Sequence, residues 1–230
     1  MADVAELEAA VNELTRRIGV LEDTQAIRNL QHAYGYYLDK CLYEEVAGLF
    51  SDQGEVRFFG GRFVGRDGIR RLYIERFQKN FTGGKNGPIH GFLLDHPMHQ
   101  DVIHVAPDRS TAQARWRCTM QAGTHESVAR PDGEGRERLR QWWEGGLYEN
   151  SYVREDGVWK IQRLGYFPFW HADYDKGWAR TEPMSHMIPT TTFPDDPLGP
   201  DELLPDFAFF PATDVVPFHY PHPVTGREWK

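Results

Sequence analysis

The sequence predicts an α+β fold, in which helices come first and a strongly curved antiparallel sheet follows, with an extended proline-rich segment at the end. Three observations carry the prediction. Over roughly the first 80 residues, aliphatic and aromatic residues recur at helical spacing. From His90 onward the long stretches "HGFLLDHPMHQDVIHV", "STAQARWRCTMQAG", "WWEGGLYENSYVRE" and "GVWKIQRLGYFPFW" read as strands, with turn residues at "APDR" and "REDG" between them. Finally, 11 of the 15 prolines lie from Pro168 onward, among aromatics and acids without periodicity, which separates a third segment from the folded body.

The elements follow in order. Val4, Leu7, Val11, Leu14, Ile18 and Leu21 stand at a/d heptad spacing, so residues 1–22 are expected to form a helix with one apolar seam. That seam either folds back on its own domain or makes a contact between subunits. Thr24 is expected to cap a second helix through Ile27, Leu30, Tyr34 and Leu38, followed by a helical turn near Tyr43 to Phe50. "GEVRFFGGRFVG" reads as a hairpin in which Gly60 and Gly61 supply the positive φ of a tight turn. Asp67 is the expected N-cap of a third helix with Ile69, Leu72, Tyr73, Arg76 and Phe77 on its inner face, broken by "TGGKNGP". Residues 23–170 would then form the domain. Residues 171–230 are too aromatic for easy disorder and are expected to form a strap over the domain or a neighbouring subunit.

Composition narrows the function. A net charge of −8 lacks the basic surface that phosphate neutralisation needs, so no nucleic-acid partner is expected. Cys41 and Cys118 are far apart and outside any CxxC pair, which argues against disulfide, zinc-knuckle and thioredoxin-like chemistry. No signal peptide or membrane-length apolar run is visible, so a cytoplasmic protein without a membrane partner is expected.

Asp39 closes "YGYYLDK", where the negative end of the helix dipole disfavours a carboxylate; stability alone does not explain it. The helices, the "FSDQGEVRFFGGRFVGRDGIRRLY" segment and the "GGLYENSYVREDGVWKIQRL" hairpin resemble the SnoaL-like branch of the NTF2-like superfamily over about residues 20–168. The resemblance implies an NTF2-like cone enclosing a pocket, and an acid at the end of the opening helix, here Asp39, with a tyrosine five residues before it, Tyr34. In the family's dehydratases a sheet histidine pairs with that acid. "HPMHQDVIHV" places it on His96, with His99 and His90 as alternatives, and Gln100 stands where the family has asparagine.

An acid and an imidazole facing an apolar cavity can share one mobile proton, which suits general acid–base work. The expected catalytic residues are therefore Asp39, His96 and Tyr34. Tyr148, Asn150 and Tyr152 share one strand face, which the family pattern makes the pocket lining. Phe58, Trp116 and Trp170 complete the expected substrate wall. No metal site and no cofactor are expected, since two histidines three apart in a strand point to opposite faces.

The function expected is a cofactor-independent lyase removing water or formaldehyde from a hydroxylated, hydrophobic aromatic substrate such as a lignin-derived diaryl dimer. An isomerase or cyclase acting through an enolate, and a non-catalytic NTF2-like binding module, are the alternatives. A homo-oligomer, dimer or trimer, is expected from the apolar seam and the tail aromatics.

Overall fold

The computed structural model describes residues 3–128, 141–183, 187–204 and 208–229. A single helix, α1, runs from Val4 to Asp39. This corrects the expectation of two helices: nothing between Ile18 and Ile27 breaks the helix, and Thr24, far from capping, turns its hydroxyl back to the Val20 carbonyl at 2.8 Å. The heptad segment does not fold back on its own domain. Val4, Leu7, Val11, Leu14, Ile18 and Leu21 are all more than half exposed, and burial begins only at Gly19.

Beyond α1 come α2 (Tyr43–Ala47) and the hairpin of β1 (Phe50–Phe58) and β2 (Gly61–Val64). The hairpin stands, but its two turn residues are Phe59 (φ 49°) and Gly60 (φ 79°), while Gly61 already pairs with Phe58. Next is α3 (Gly65–Arg70), continued by a π-helical stretch (Arg71–Gln78) and α4 (Lys79–Thr82). Asp67 lies inside the first turn of α3 rather than at its cap, which falls on Val64. Gly83, at φ 65°, ends the helix in the left-handed conformation that glycine adopts without strain.

The expected first long strand is two strands, β3 (Phe92–Asp95) and β4 (Met98–Val105), parted at His96 and Pro97. Proline has no N–H for a ladder, so the strand breaks there. Both halves pair antiparallel with β5 (Thr111–Thr124). Then β6 (Gln141–Glu155) and β7 (Val158–Asp173) complete a sheet ordered β3-β5-β6-β7-β1-β2-β8, with β4 also on β5 and β8 being Glu202–Leu203. All pairings are antiparallel except β1 with β7.

Two polar clusters fix α1 on the sheet. Asp23, 3% exposed, accepts from Arg109 at 2.5 Å and from the Trp159 indole at 3.0 Å, with Arg154 at 3.3 Å. Two turns on, Gln31 accepts from Asn150 and Tyr152, each at 2.9 Å, while Asn150 accepts from the Gly165 N–H at 3.0 Å. Removing one member of such a buried set leaves its partners unsatisfied, at about 1–3 kcal/mol each. The tail segments lie against the same chain: Arg71 reaches the Gly199 carbonyl and Asp201, Phe209 packs buried against Phe59, and His219 meets Glu149.

Candidate active site

Between the helices and the concave side of the sheet is a cavity of about 580 Å³. Its wall is largely aromatic: Phe58, Phe59, Phe77, Phe81, Phe92 and Trp142, with Met187 reaching it from the tail. Phe81 stacks on Phe92 at 5.6 Å and Phe58 on Tyr166 at 6.1 Å between ring centroids, so the wall is preformed.

His96 stands on this wall. The break after β3 frees its backbone N–H from the ladder, and that N–H donates to Asp39 Oδ1 at 2.7 Å, while the ring Nδ1 meets the same oxygen at 3.0 Å. An ionised carboxylate only accepts, so Nδ1 carries the hydrogen and the ring's basic lone pair is on Nε2. Both side chains are nearly buried, 11% exposed for His96 and 14% for Asp39. Asp39 is not on the cavity wall. It lies behind His96, in a separate groove with His32, Gly35, Tyr36 and Met98. His99 instead contacts Thr119 at 3.3 Å on the exposed side.

Tyr34 is on the wall and its hydroxyl meets that of Tyr73 at 3.0 Å. The Tyr148 ring stands edge-on to Tyr34 at 5.9 Å and lies 4.8 Å from Tyr166. Burial pushes all four phenols well above their ordinary range, so they stay protonated and can donate. The thiol of Cys118 is pushed up by burial in the same way.

Of the other expected substrate-wall residues, the structure brings Phe58 and Tyr148 to the cavity. It places Asn150, Tyr152 and Trp116 elsewhere on the same inward face: they are buried beneath α1, where Trp116 donates to the Tyr152 hydroxyl at 3.0 Å. Trp170 is on the outer face, over Gly145 and against Trp178 at 5.7 Å, in a second cavity of about 460 Å³ shared with tail residues.

Of the side chains on the wall outside the expected set, two can carry charge at neutral pH, Arg76 and Glu144. Glu144, 5% exposed, accepts from the Tyr166 hydroxyl at 2.5 Å. Burial pushes its carboxyl up to about 7, against the opposing pull of that hydrogen bond. The signal was available: Glu144 has the strand parity of Tyr148. Among the described residues no group of three His, Cys, Asp or Glu is arranged to hold a metal ion, and no helix is long and apolar enough to cross a membrane.

Comparison with known proteins agrees with this architecture. The structure of LinA is 16% identical, covering 69% of this chain and 93% of that one at a TM-score of 0.52, and that of a type 2 LinA hexachlorocyclohexane dehydrochlorinase is 19% identical, covering 66% and 89% at 0.51. An NTF2-like protein with a cystatin-like fold from Novosphingobium aromaticivorans is 21% identical over 78% of this chain and 96% of that one, at 0.44. No curated protein matches the sequence. The model of the SnoaL-like domain matches residues 19–165, the stretch that carries α1's buried half and most of the cavity wall and of the sheet, and the chain belongs to that family.

Proposed function

We propose that this protein is a cofactor-independent lyase that eliminates water or formaldehyde from a hydroxylated, hydrophobic aromatic substrate, with His96 as the proton acceptor at the cavity wall. The single observation carrying the reading is the geometry of His96: Asp39 holds both its N–H and its Nδ1, which leaves Nε2 as the basic atom of a residue lining an aromatic cavity. Asp39 fixes the tautomer and offsets the charge of the imidazolium that forms. The phenols of Tyr34, Tyr73 and Tyr148 supply donors toward a developing oxyanion. A cavity of about 580 Å³ falls within the range that holds a two-ring ligand, and its aromatic lining suits stacking on one. A lignin-derived 1,2-diarylpropane-1,3-diol combines the rings and the hydroxyls. The exposed seam of α1 supports self-association into a dimer or trimer.

The test is to incubate the full chain with 1,2-diarylpropane-1,3-diols and follow product mass. Loss of formaldehyde, water or both is expected, slowed about 10²-fold or more by His96→Ala. A product of unchanged mass would make the chain an isomerase or cyclase instead.

A further inference from the structure

We infer that Glu144 is a second catalytic residue of this cavity, standing two strands from His96 and giving its proton to the oxygen that leaves the substrate. This rests on the lyase reading above. Three acids of the described residues are buried, Asp23, Glu55 and Glu144. Asp23 is paired with Arg109 and Arg154, and Glu55 with Arg57 and Arg62. Glu144 is in no ion pair among the described residues, where its one hydrogen bond is from the Tyr166 hydroxyl to Oε1. A buried carboxyl without a cation is costly as a carboxylate and is kept where its proton is used.

Its placement fits that use. Glu144 pairs with Met120 across β5–β6 and Asp95 pairs with Gln121 across β3–β5. The next residue, His96, therefore stands on the far side of Met120, about 10 Å from Glu144 between backbones at ordinary strand spacing. Both line the same cavity, so a substrate lying across Met120 meets both. Gly146 keeps the arrangement open. A Cβ there would come within 3.0 Å of the Tyr166 ring and 2.7 Å of the Phe167 carbonyl, so any side chain would push away the tyrosine that holds Glu144.

The titratable groups nearest Glu144 are Tyr166 and His171 from β7 and Cys118 from β5, whose thiol the Glu144 charge helps push up, and the cavity wall it shares also carries Arg76 from the π-helical stretch and His96. Titration near 7 makes both forms of Glu144 accessible at neutral pH. The step balances without a co-reactant. His96 Nε2 takes the proton of the primary hydroxyl, the carbon–carbon bond breaks to release formaldehyde, and its electron pair forms the new C=C. The benzylic hydroxyl leaves as water with the Glu144 proton, and the imidazolium proton returns to Glu144. For plain dehydration the proton taken by His96 comes from carbon.

The experiment compares the full chain with Glu144→Gln and Tyr166→Phe over a pH range of about 5 to 9, on a 1,2-diarylpropane-1,3-diol. The working acid is protonated, so wild-type turnover is expected to fall as pH rises through the Glu144 titration. Glu144→Gln should lower the maximum about 10²-fold or more and remove that alkaline limb. Independently of turnover, infrared difference spectra should show the C=O stretch of a protonated carboxylic acid disappearing between pH about 6 and 8, shifted by bound trans-4-hydroxystilbene, absent in Glu144→Gln, with its midpoint moved upward in Tyr166→Phe. If no diol is turned over, the lyase reading fails, and the infrared band still decides whether Glu144 holds an exchangeable proton facing a ligand. Absence of the band in wild type, no shift with the stilbene, or Glu144→Gln turning over at the wild-type rate with the alkaline limb intact overturns the inference. Should Glu144→Gln not fold, the movement of the midpoint in Tyr166→Phe decides.

Discussion

Asp39→Asn separates the two ways in which the carboxylate could serve the reaction. Asp39 is behind His96 rather than on the cavity wall, so its effect must pass through the imidazole. The amide of asparagine keeps a carbonyl that can accept from the His96 N–H and Nδ1, now at 2.7 and 3.0 Å from Asp39 Oδ1, but loses the charge. A hydrogen bond to a charged group contributes about 1.5–3 kcal/mol and a neutral one about 0.5–1.5 kcal/mol. The imidazolium therefore loses roughly 1–2 kcal/mol, and at about 1.4 kcal/mol per factor of ten turnover should fall about 5- to 30-fold. His96→Ala removes the proton acceptor itself and should cost about 10²- to 10⁴-fold. The double variant should be no slower than His96→Ala alone, because Asp39 has nothing left to act on. Initial rates of diol cleavage by product mass, on variants with wild-type circular dichroism, give all three numbers. If Asp39→Asn slows the His96→Ala protein by a further factor comparable with its effect on wild type, Asp39 acts on the substrate by itself and not through His96.

Two further outcomes follow from the fold. If the exposed seam of α1 makes the proposed contact between subunits, Leu14→Asp with Ile18→Asp should yield a monomer while sparing turnover, because burial on α1 begins at Gly19, beyond both positions; a wild-type chain that scatters light as a monomer at micromolar concentration refutes the contact. Asp23 is the pH-sensitive anchor: burial alone would raise its carboxyl, but the Arg109 and Trp159 hydrogen bonds and the Arg109 and Arg154 charges hold it below the ordinary range. Its stabilisation is thus present above the unfolded-state value of about 3.9 and is lost as pH falls through the lower folded-state value. Asp23→Asn should cost about 1–3 kcal/mol by urea unfolding near neutral pH, and the gap from wild type should close toward pH about 2. A gap independent of pH would show that charge plays no part.

How much of this was readable in the residues differs between elements for definite reasons. Helical spacing and strand parity are local, so α1, the hairpin and the long strands were all within reach. What local patterns cannot see is continuation. Thr24 has the side chain of a cap, yet with no glycine or proline nearby the helix runs through it and its hydroxyl bonds back to Val20. In the hairpin the glycine pair suggested the turn residues, but strand pairing claims Gly61 and leaves the positive φ to Phe59. Asp67 failed as a cap for the same reason: α3 starts two residues earlier, directly from β2.

In the cavity the limit is different, because parity tells which face a residue is on but not how far along the strand the face stays open. Glu144, Tyr148, Asn150 and Tyr152 all point inward from β6. The crossing of α1 divides them: Gln31 closes over Asn150 and Tyr152, whereas Glu144 and Tyr148 lie where the sheet stands away from the helix. A sequence shows the row and not the crossing. It does, however, show composition, and a lone acid in an inward row of aromatics and glycines is either paired with a cation from another element or kept for its proton. The arginines that settle the question for Asp23 and Glu55 come from the hairpins beside them, while the residues facing Glu144 from the neighbouring strands are Met120 and His171. Among the described residues no arginine pairs with Glu144, and a phenol holds Oε1 at a wall that a ligand in the cavity would meet.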